Sequence, residues 1–471
     1  MATATRPLRD DEKACADEML MRARAAMKQI ENYDQARVDR LCQAVAWAVA
    51  NEKTFTRLAY MGVEESGLGD PASRVSKRFK VMGILRDVLR QKSIGVIEEI
   101  PEKGIVKYAK PVGVVASIIP TTNPDLTPPG VGMFVLKCRD AVIFSPHPRS
   151  KKTTFETVRI MREAMKREDA PPDLFQCIEN PSIPLSQYLM SICDLVQATG
   201  GKDMVKAAYS SGTPSFGVGA GNSTMIIDET ANVEESATST RISKTSDYGS
   251  GCSADGNLVI EESIYDKMRA QLIKEGGYLA SPKEKEKLQA VLWDVEGHRT
   301  SDTVAISAQR IAQRAGFEIP ADRKFIMVEE EHIGKEYLFS SEKLCVVLSL
   351  FKYSGFQNAL KMVEQIYEVG GKGHSCGIYS FNDEHIHQLA LMAPVSRIMV
   401  RQPQSKANAG AFNNGMPMTS SLGCGTWGGN ITSENIHLKH YMNVTWVSRP
   451  IPEDRPSEKE LFGDFYGTKV D

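Results

Sequence analysis

Val112-Gly-Val-Val-Ala-Ser-Ile-Ile-Pro120 is the stretch on which the fold turns. Its apolar and β-branched residues run on without polar alternation, so it reads as a strand buried on both faces, as in a parallel sheet covered by helices. AVIFSP (141–146) and DLVQATGG (194–201) are further runs of this kind, with amphipathic segments such as Thr153–Arg167 between them. This alternation predicts an α/β domain with an open sheet, whose ligands sit at the carboxyl ends of its strands. Upstream, from Asp11 to Leu89, apolar residues recur at helical spacing, as in Met19, Ala23, Met27 and Ile30. Gly95 to Ala109 reads as a hairpin broken by Pro101 and Gly104. Downstream of Asn222, the runs MIID (225–228), NLVIEE (257–262), KFIMVEE (324–330) and CVVLSLFKY (345–353), interleaved with helical segments, suffice for a second α/β domain. The strand-like YMNVTWV (441–447) has no place in either sheet.

The chain has 471 residues, enough for two or three domains with substantial cores. Lys+Arg 57 against Asp+Glu 59 leaves a net charge of −2, which excludes a broad basic surface and predicts no nucleic-acid partner. No window approaches the ~18 apolar residues of a membrane span, and MATATRPLRDDEKACADEM (1–19) carries no signal-like run, so no membrane partner and a cytoplasmic location are expected. The nine cysteines lack CxxC pairing and zinc-like spacing, which predicts reduced thiols and no metal site.

One cysteine stands apart. SKTSDYGSGCSADG (243–256) sets Cys252 in a polar, glycine-flanked loop just before a strand, where backbone can approach a ligand and the sulfur can act as nucleophile. Taken alone it reads more readily as a loop cysteine without consequence. Asn123, in IIPTTNP (118–124), follows a buried strand, where its amide could donate to an oxyanion or simply form the turn before Pro124. Thr199-Gly200-Gly201 also follows a strand and has amides that could approach a pyrophosphate, a weak pattern by itself, as is the glycine-dense Phe216–Asn222.

Read together, KPVGVVASIIPTTNP (110–124), FSPHPRSKK (144–152), ATGG (198–201), SKTSDYGSGCSADG (243–256), GGKGHSCGIYS (370–380) and LGCGTWGGNITSEN (422–435) resemble the CoA-acylating branch of the aldehyde dehydrogenase superfamily over residues 15 to 450. The resemblance implies a Rossmann-type cofactor domain (1–97 and 113–223), an α/β catalytic domain (224–434) and a small β oligomerisation arm with tail (98–112 and 435–471). It implies NAD or NADP as cofactor, coenzyme A as co-substrate, and a homodimer or homotetramer. By the same resemblance Cys252 forms a thiohemiacetal and then a thioester, Asn123 and the Cys252 N–H hold the oxyanion, and Glu342 contacts the nicotinamide ribose. Thr199, Gly200, Gly201, Gly217 and Gly219 match the pyrophosphate side, and His147, Pro148 and Arg149 the adenosine side. His374 matches a histidine of this branch. With no partner visible for it in the sequence, it reads as structural rather than as a base for CoA.

The acceptor follows from chemistry. Hydrolytic aldehyde dehydrogenases carry a glutamate upstream of the cysteine to activate water, whereas the matching Gly217-Val-Gly-Ala-Gly221 has no carboxylate, which favours attack by the CoA thiolate. The loop around the nucleophile is small and polar at Ser246, Tyr248 and Ser253, where acetaldehyde-type members are bulkier. This points to an aldehyde with a short polar or anionic tail, sulfoacetaldehyde foremost, with succinate semialdehyde or acetaldehyde as alternatives. Arg397, Arg401 and Lys406 are candidate anion partners, and Arg149, Lys151 and Lys152 candidates for a 2′-phosphate. A non-catalytic binding protein of the same fold is the remote alternative.

Overall fold

A computed structural model describes residues 6–469. The first five residues of the expected cofactor domain and the last two of the expected tail lie outside them. The chain enters through helices Asp10–Gln29, Gln35–Ala50 and Glu52–Ser66, whose apolar stripes, among them Met19, Ala23, Leu41, Val45 and Val49, face the first core. The side chains of Asp34 and Asn51 cap the second and third of these helices, satisfying amides that the first turn leaves without partners.

Next comes the expected hairpin, β1 (Gly95–Ile100) and β2 (Ile105–Pro111), antiparallel to each other. β3 (Val114–Ile118), β4 (Ala141–Ser145), β5 (Phe175–Cys177), β6 (Leu195–Thr199) and β7 (Ser215–Val218) then build a five-stranded parallel sheet in the order β5-β4-β3-β6-β7. β3 and β4 are buried along their whole length, as their uninterrupted apolar runs require. The chain builds outward from β3 in one direction and returns on its other side with β6. The switch point between β3 and β6 opens a crevice beyond their carboxyl ends. Those ends lead into Pro120–Asn123 and Thr199–Gly201.

The second sheet is also parallel. β8 (Thr224–Ile227), β9 (Asn257–Glu261), β10 (Gly277–Leu279), β11 (Phe325–Glu330), β12 (Val347–Tyr353), β13 (Cys376–Tyr379) and β14 (Ile398–Val400) lie in the order β10-β11-β12-β9-β8-β13-β14. Beyond β14 apolar residues of the chain turn back to the other domain: Met418, Leu422, Ile436, Leu438 and Tyr441 pack into the first core. Apolar anchoring back onto the first domain thus begins before residue 434, where the catalytic domain was expected to end. β15 (Met442–Ser448) completes a three-stranded sheet by pairing antiparallel with β2, and its residues are mostly exposed. Among the described residues no helix is long and apolar enough to cross a membrane.

Candidate active site

A cavity of about 1050 Å³ is lined by residues of both domains. The first contributes Asn123, His147, Pro148, Thr199, Gly200, Gly201 and Gly219; the second contributes Ser246, Cys252, Ser253 and Glu342. Cys252 is half-buried at its wall. Gly221 lets the strand-linking loop pass close by: a Cβ there would fall 2.0 Å from the Cys252 carbonyl oxygen.

Behind the thiol, away from the cavity lining, sits His374, with Nε2 3.0 Å from Cys252 Sγ. The surrounding hydrogen bonds settle its tautomer. Ser223 Oγ donates to the Cys252 carbonyl at 3.1 Å, so its contact with Ser375 Oγ at 3.1 Å needs the Ser375 proton. Ser375 Oγ is then left to accept, from Asn408 Nδ2 at 3.0 Å and from His374 Nδ1–H at 2.8 Å. His374 Nε2 therefore carries a lone pair aimed at the thiol. Burial and the nearby Arg397 push the imidazole down to about 3, and burial together with Glu342 pushes the Cys252 thiol up to about 12. Both groups are neutral until something in the site changes.

Asn123 is oriented as tightly. Lys77 Nζ, which can only donate, lies 2.8 Å from Asn123 Oδ1, 2.9 Å from the Thr122 carbonyl and 2.7 Å from Asp247 Oδ2. With the amide oxygen engaged, the Asn123 NH₂ is the end left to donate. Asp247 also receives Arg74 at 3.2 Å. Burial would raise its carboxyl, but Lys77 and Arg74 outweigh that and hold it at about 2.

On the cofactor side, Thr199, Gly200 and Gly201 lead into helix Lys202–Tyr209 at the carboxyl end of β6. A Cβ built on Gly201 would meet nothing within 4 Å, so a ligand could come against this backbone. Glu342 accepts from the Gly221 N–H at 2.9 Å, and burial pushes its carboxyl up to about 8.

The aldehyde dehydrogenase family model matches residues 4–286. The sulfoacetaldehyde dehydrogenase of an Acholeplasma species is 45% identical over 95% of this chain and 93% of its own. The acylating sulfoacetaldehyde dehydrogenase of Bilophila wadsworthia is 41% identical over 95% and 98%. The crystal structure of an acetylating aldehyde dehydrogenase from Geobacillus thermoglucosidasius superposes with a TM-score of 0.91 at 36% identity, covering 96% of this chain and all of that one. The chain belongs to the aldehyde dehydrogenase family, in its CoA-acylating branch. It is an oxidoreductase acting on an aldehyde group, with NAD(P) as cofactor and coenzyme A as acyl acceptor.

Several side chains that the sequence singles out lie elsewhere in this dehydrogenase. Tyr248 does not line the cavity: Asp247 and Tyr248 both have left-handed backbone (φ 51° and 52°), Asp247 bonds to Arg74 and Lys77, and Tyr248 packs against the second core. Gly217 is a packing glycine, since a Cβ there would fall 2.8 Å from the Tyr209 ring and 2.9 Å from Val205. Arg149 donates to the Ser66 carbonyl at 2.7 Å and Lys151 to Asn180 at 3.0 Å, while Glu65 accepts from the amides of Lys152 and Thr153. Arg397 is buried, donating to the carbonyls of His374, Gly423 and Ser433, and Arg401 lies over the Phe381 ring. Of the three anion candidates only Lys406 lines the cavity. His374, read from the sequence as structural, is brought by the fold against the candidate nucleophile. The available signal was its place just after the glycine-rich Gly370-Gly371-Lys372-Gly373, but its partner lies 122 residues away.

Proposed function

We propose that this acylating dehydrogenase oxidises an aldehyde with a short anionic tail, sulfoacetaldehyde foremost, to its acyl-CoA through a thioester on Cys252. The observation that carries the mechanism is the 3.0 Å approach of a lone-pair-bearing His374 Nε2 to Cys252 Sγ. Cys252 Sγ bonds to the carbonyl carbon while its proton passes to His374 Nε2. The oxygen that becomes negative is held by the Asn123 NH₂, kept facing it by Lys77, and by the Cys252 N–H. A nicotinamide bound in this cavity would supply the hydride acceptor. Thr199, Gly200, Gly201 and Gly219 would hold its pyrophosphate, His147 and Pro148 its adenosine, and Glu342 its ribose. The open space beside Gly201 fits that assignment.

The acyl group then remains on Cys252. Gly217–Gly221 offers no carboxylate to activate water, and Glu342, whose burial favours its protonated form, is tied to the Gly221 amide. The thiolate of CoA has no such need of a base. Its sulfur bonds to the acyl carbon, the Cys252 Sγ–C bond breaks, and His374 returns its proton to the departing sulfur. A thioester product stores enough free energy for the reaction to run readily in reverse. The hydroxyls of Ser246 and Ser253 support the polar-tail reading, with succinate semialdehyde as the longer alternative.

The exposed β15 beside β2 supports a homodimer or homotetramer in which this arm reaches a second copy, since strand edges left open tend to be covered. Reduced cysteines suit the cytoplasm. The test is NAD(P)H formation. It is expected to need both aldehyde and CoA and to vanish in Cys252→Ala; acid formed without CoA, or turnover surviving that substitution, would overturn the reading.

A further inference from the structure

One part of the cavity lining groups several cations. Lys77, Lys80 and Lys406 line it, and Arg74 lies just behind. Ionised Asp247 is shared by Arg74 and Lys77. The other carboxyl of this cluster, Asp125, is pushed up by burial toward its neutral form, and neither of its oxygens has a hydrogen-bond partner. Lys80 is turned to the carbonyls of Ala409 and Gly410.

Lys406 is placed differently. Its Nζ donates to Ser246 Oγ at 2.8 Å, the one hydrogen bond it makes among the described residues. Its backbone is fixed from both sides. Gln404 donates to the Thr224 carbonyl at 3.1 Å and to Asp255 at 2.8 Å, and the Ser405 N–H donates to Ser243 Oγ at 3.2 Å. Asn408, one turn on, bonds the same Ser375 hydroxyl that receives His374. The ammonium is therefore held in register with the nucleophile.

We propose that Lys406 and Ser246 form the receptor for the sulfonate or carboxylate tail of the aldehyde, an assignment that rests on the anionic-tail reading above. An ammonium has three donors, of which Ser246 takes one. Ser246 Oγ accepts that bond and so keeps its own O–H to donate. Two N–H groups and one O–H converge on an acceptor-only anion at a partly desolvated site, where charge-assisted bonds are strong. A neutral tail would leave the partly buried ammonium with only the Asp247 that Arg74 and Lys77 already share, so the pair both attracts the anion and disfavours its uncharged analogue.

The experiment compares kcat/KM for sulfoacetaldehyde, succinate semialdehyde and propionaldehyde, with saturating CoA and cofactor, in the wild type, Lys406→Met and Ser246→Ala. Lys406→Met is expected to collapse the preference for the anionic aldehyde over propionaldehyde by about 10²-fold, the loss falling in the aldehyde KM. Ser246→Ala is expected to shift it in the same direction by about tenfold or less. The larger loss with sulfoacetaldehyde would identify the sulfonate as the fitted tail, and with succinate semialdehyde the carboxylate. Equal losses for all three aldehydes, or a changed KM for CoA or the dinucleotide instead, would overturn the receptor. If Lys406→Met does not fold, an unchanged preference in Ser246→Ala does the same. A wild type with no preference for anionic aldehydes would sink the anionic-tail reading itself, whereas a wild-type preference that both variants retain would sink only the receptor.

Discussion

The two walls of the cavity are built by opposite means. On the first-domain wall the turns after β3 and β6 present mainly backbone, at Pro120–Asn123 and Thr199–Gly201, and they stand together because the sheet switches direction between these two strands. On the second-domain wall the groups are side chains gathered from far apart: Cys252 meets His374 across 122 residues, and Ser246 meets Lys406 across 160. A backbone site is prescribed by a strand, a glycine and a helix start within ten residues. A side-chain site exists only after distant segments of the second domain have packed. Substitutions among the second wall's side chains should therefore change chemistry or aldehyde recognition, and those in the turn after β6 should change cofactor affinity.

The largest effect expected is at His374. His374→Ala is expected to lower kcat by about 10² or more, the usual worth of a positioned base, with a smaller change in aldehyde KM. The resting thiol is neutral and held up near 12, so alkylation of wild-type Cys252 by iodoacetamide should climb about tenfold per pH unit from pH 6 to 9. A plateau below pH 8 would reveal a thiolate stored before substrate arrives and contradict a base that acts on demand. A kcat untouched in His374→Ala would return His374 to a packing role.

The same contrast explains what could be read in advance. The parallel sheets followed from uninterrupted runs such as Val114–Ile118 and Ala141–Ser145, because burial on both faces leaves a local mark. Cys252, Asn123 and the Thr199–Gly201 turn were legible for the same reason, each lying beside a strand. Tyr248 was misplaced because no composition rule announces the paired left-handed residues Asp247 and Tyr248 that send the two side chains apart. Arg397 looked like an anion partner because its charge is visible in the sequence, while the three backbone carbonyls that consume it are not. Which core Met418 and Leu422 join was not legible, because they are apolar anchors for either and only packing decides.

Lys77 bridges the two walls, and its effect should be intermediate. Its ammonium ties Asn123 of the first wall to Asp247 of the second. Lys77→Met is expected to lower kcat about 10- to 100-fold by letting the Asn123 amide rotate away from the oxyanion, somewhat less than removal of the donor itself. A cycle with Asn123→Ala separates this from a general loosening of the buried cluster. In the Asn123→Ala background, Lys77→Met should cost less than twofold further, because the group it positions is already gone. Additive losses would mean that Lys77 acts through the fold instead.

The smallest effect belongs to the first wall, where Gly201 supplies the sharpest check on the comparison. Among the described residues beyond its chain neighbours no atom lies within 4 Å of the space a side chain would occupy there, and φ is not left-handed, so Gly201→Val meets no clash or left-handed strain, only the small cost of a poorer helix N-cap. Loss of a glycine's unfolded-state freedom should, if anything, favour the fold by a few tenths of a kcal/mol. Any defect must then come from what fills that space during turnover. The expected outcome is an unchanged melting temperature, an unchanged rate of Cys252 alkylation, and a dinucleotide KM raised severalfold with kcat preserved at saturation. A dinucleotide KM that did not move would place the pyrophosphate elsewhere and remove the first wall from cofactor binding. A fall in kcat with KM unchanged would mean that the turn after β6 takes part in the chemistry, and that the division between the two walls does not hold.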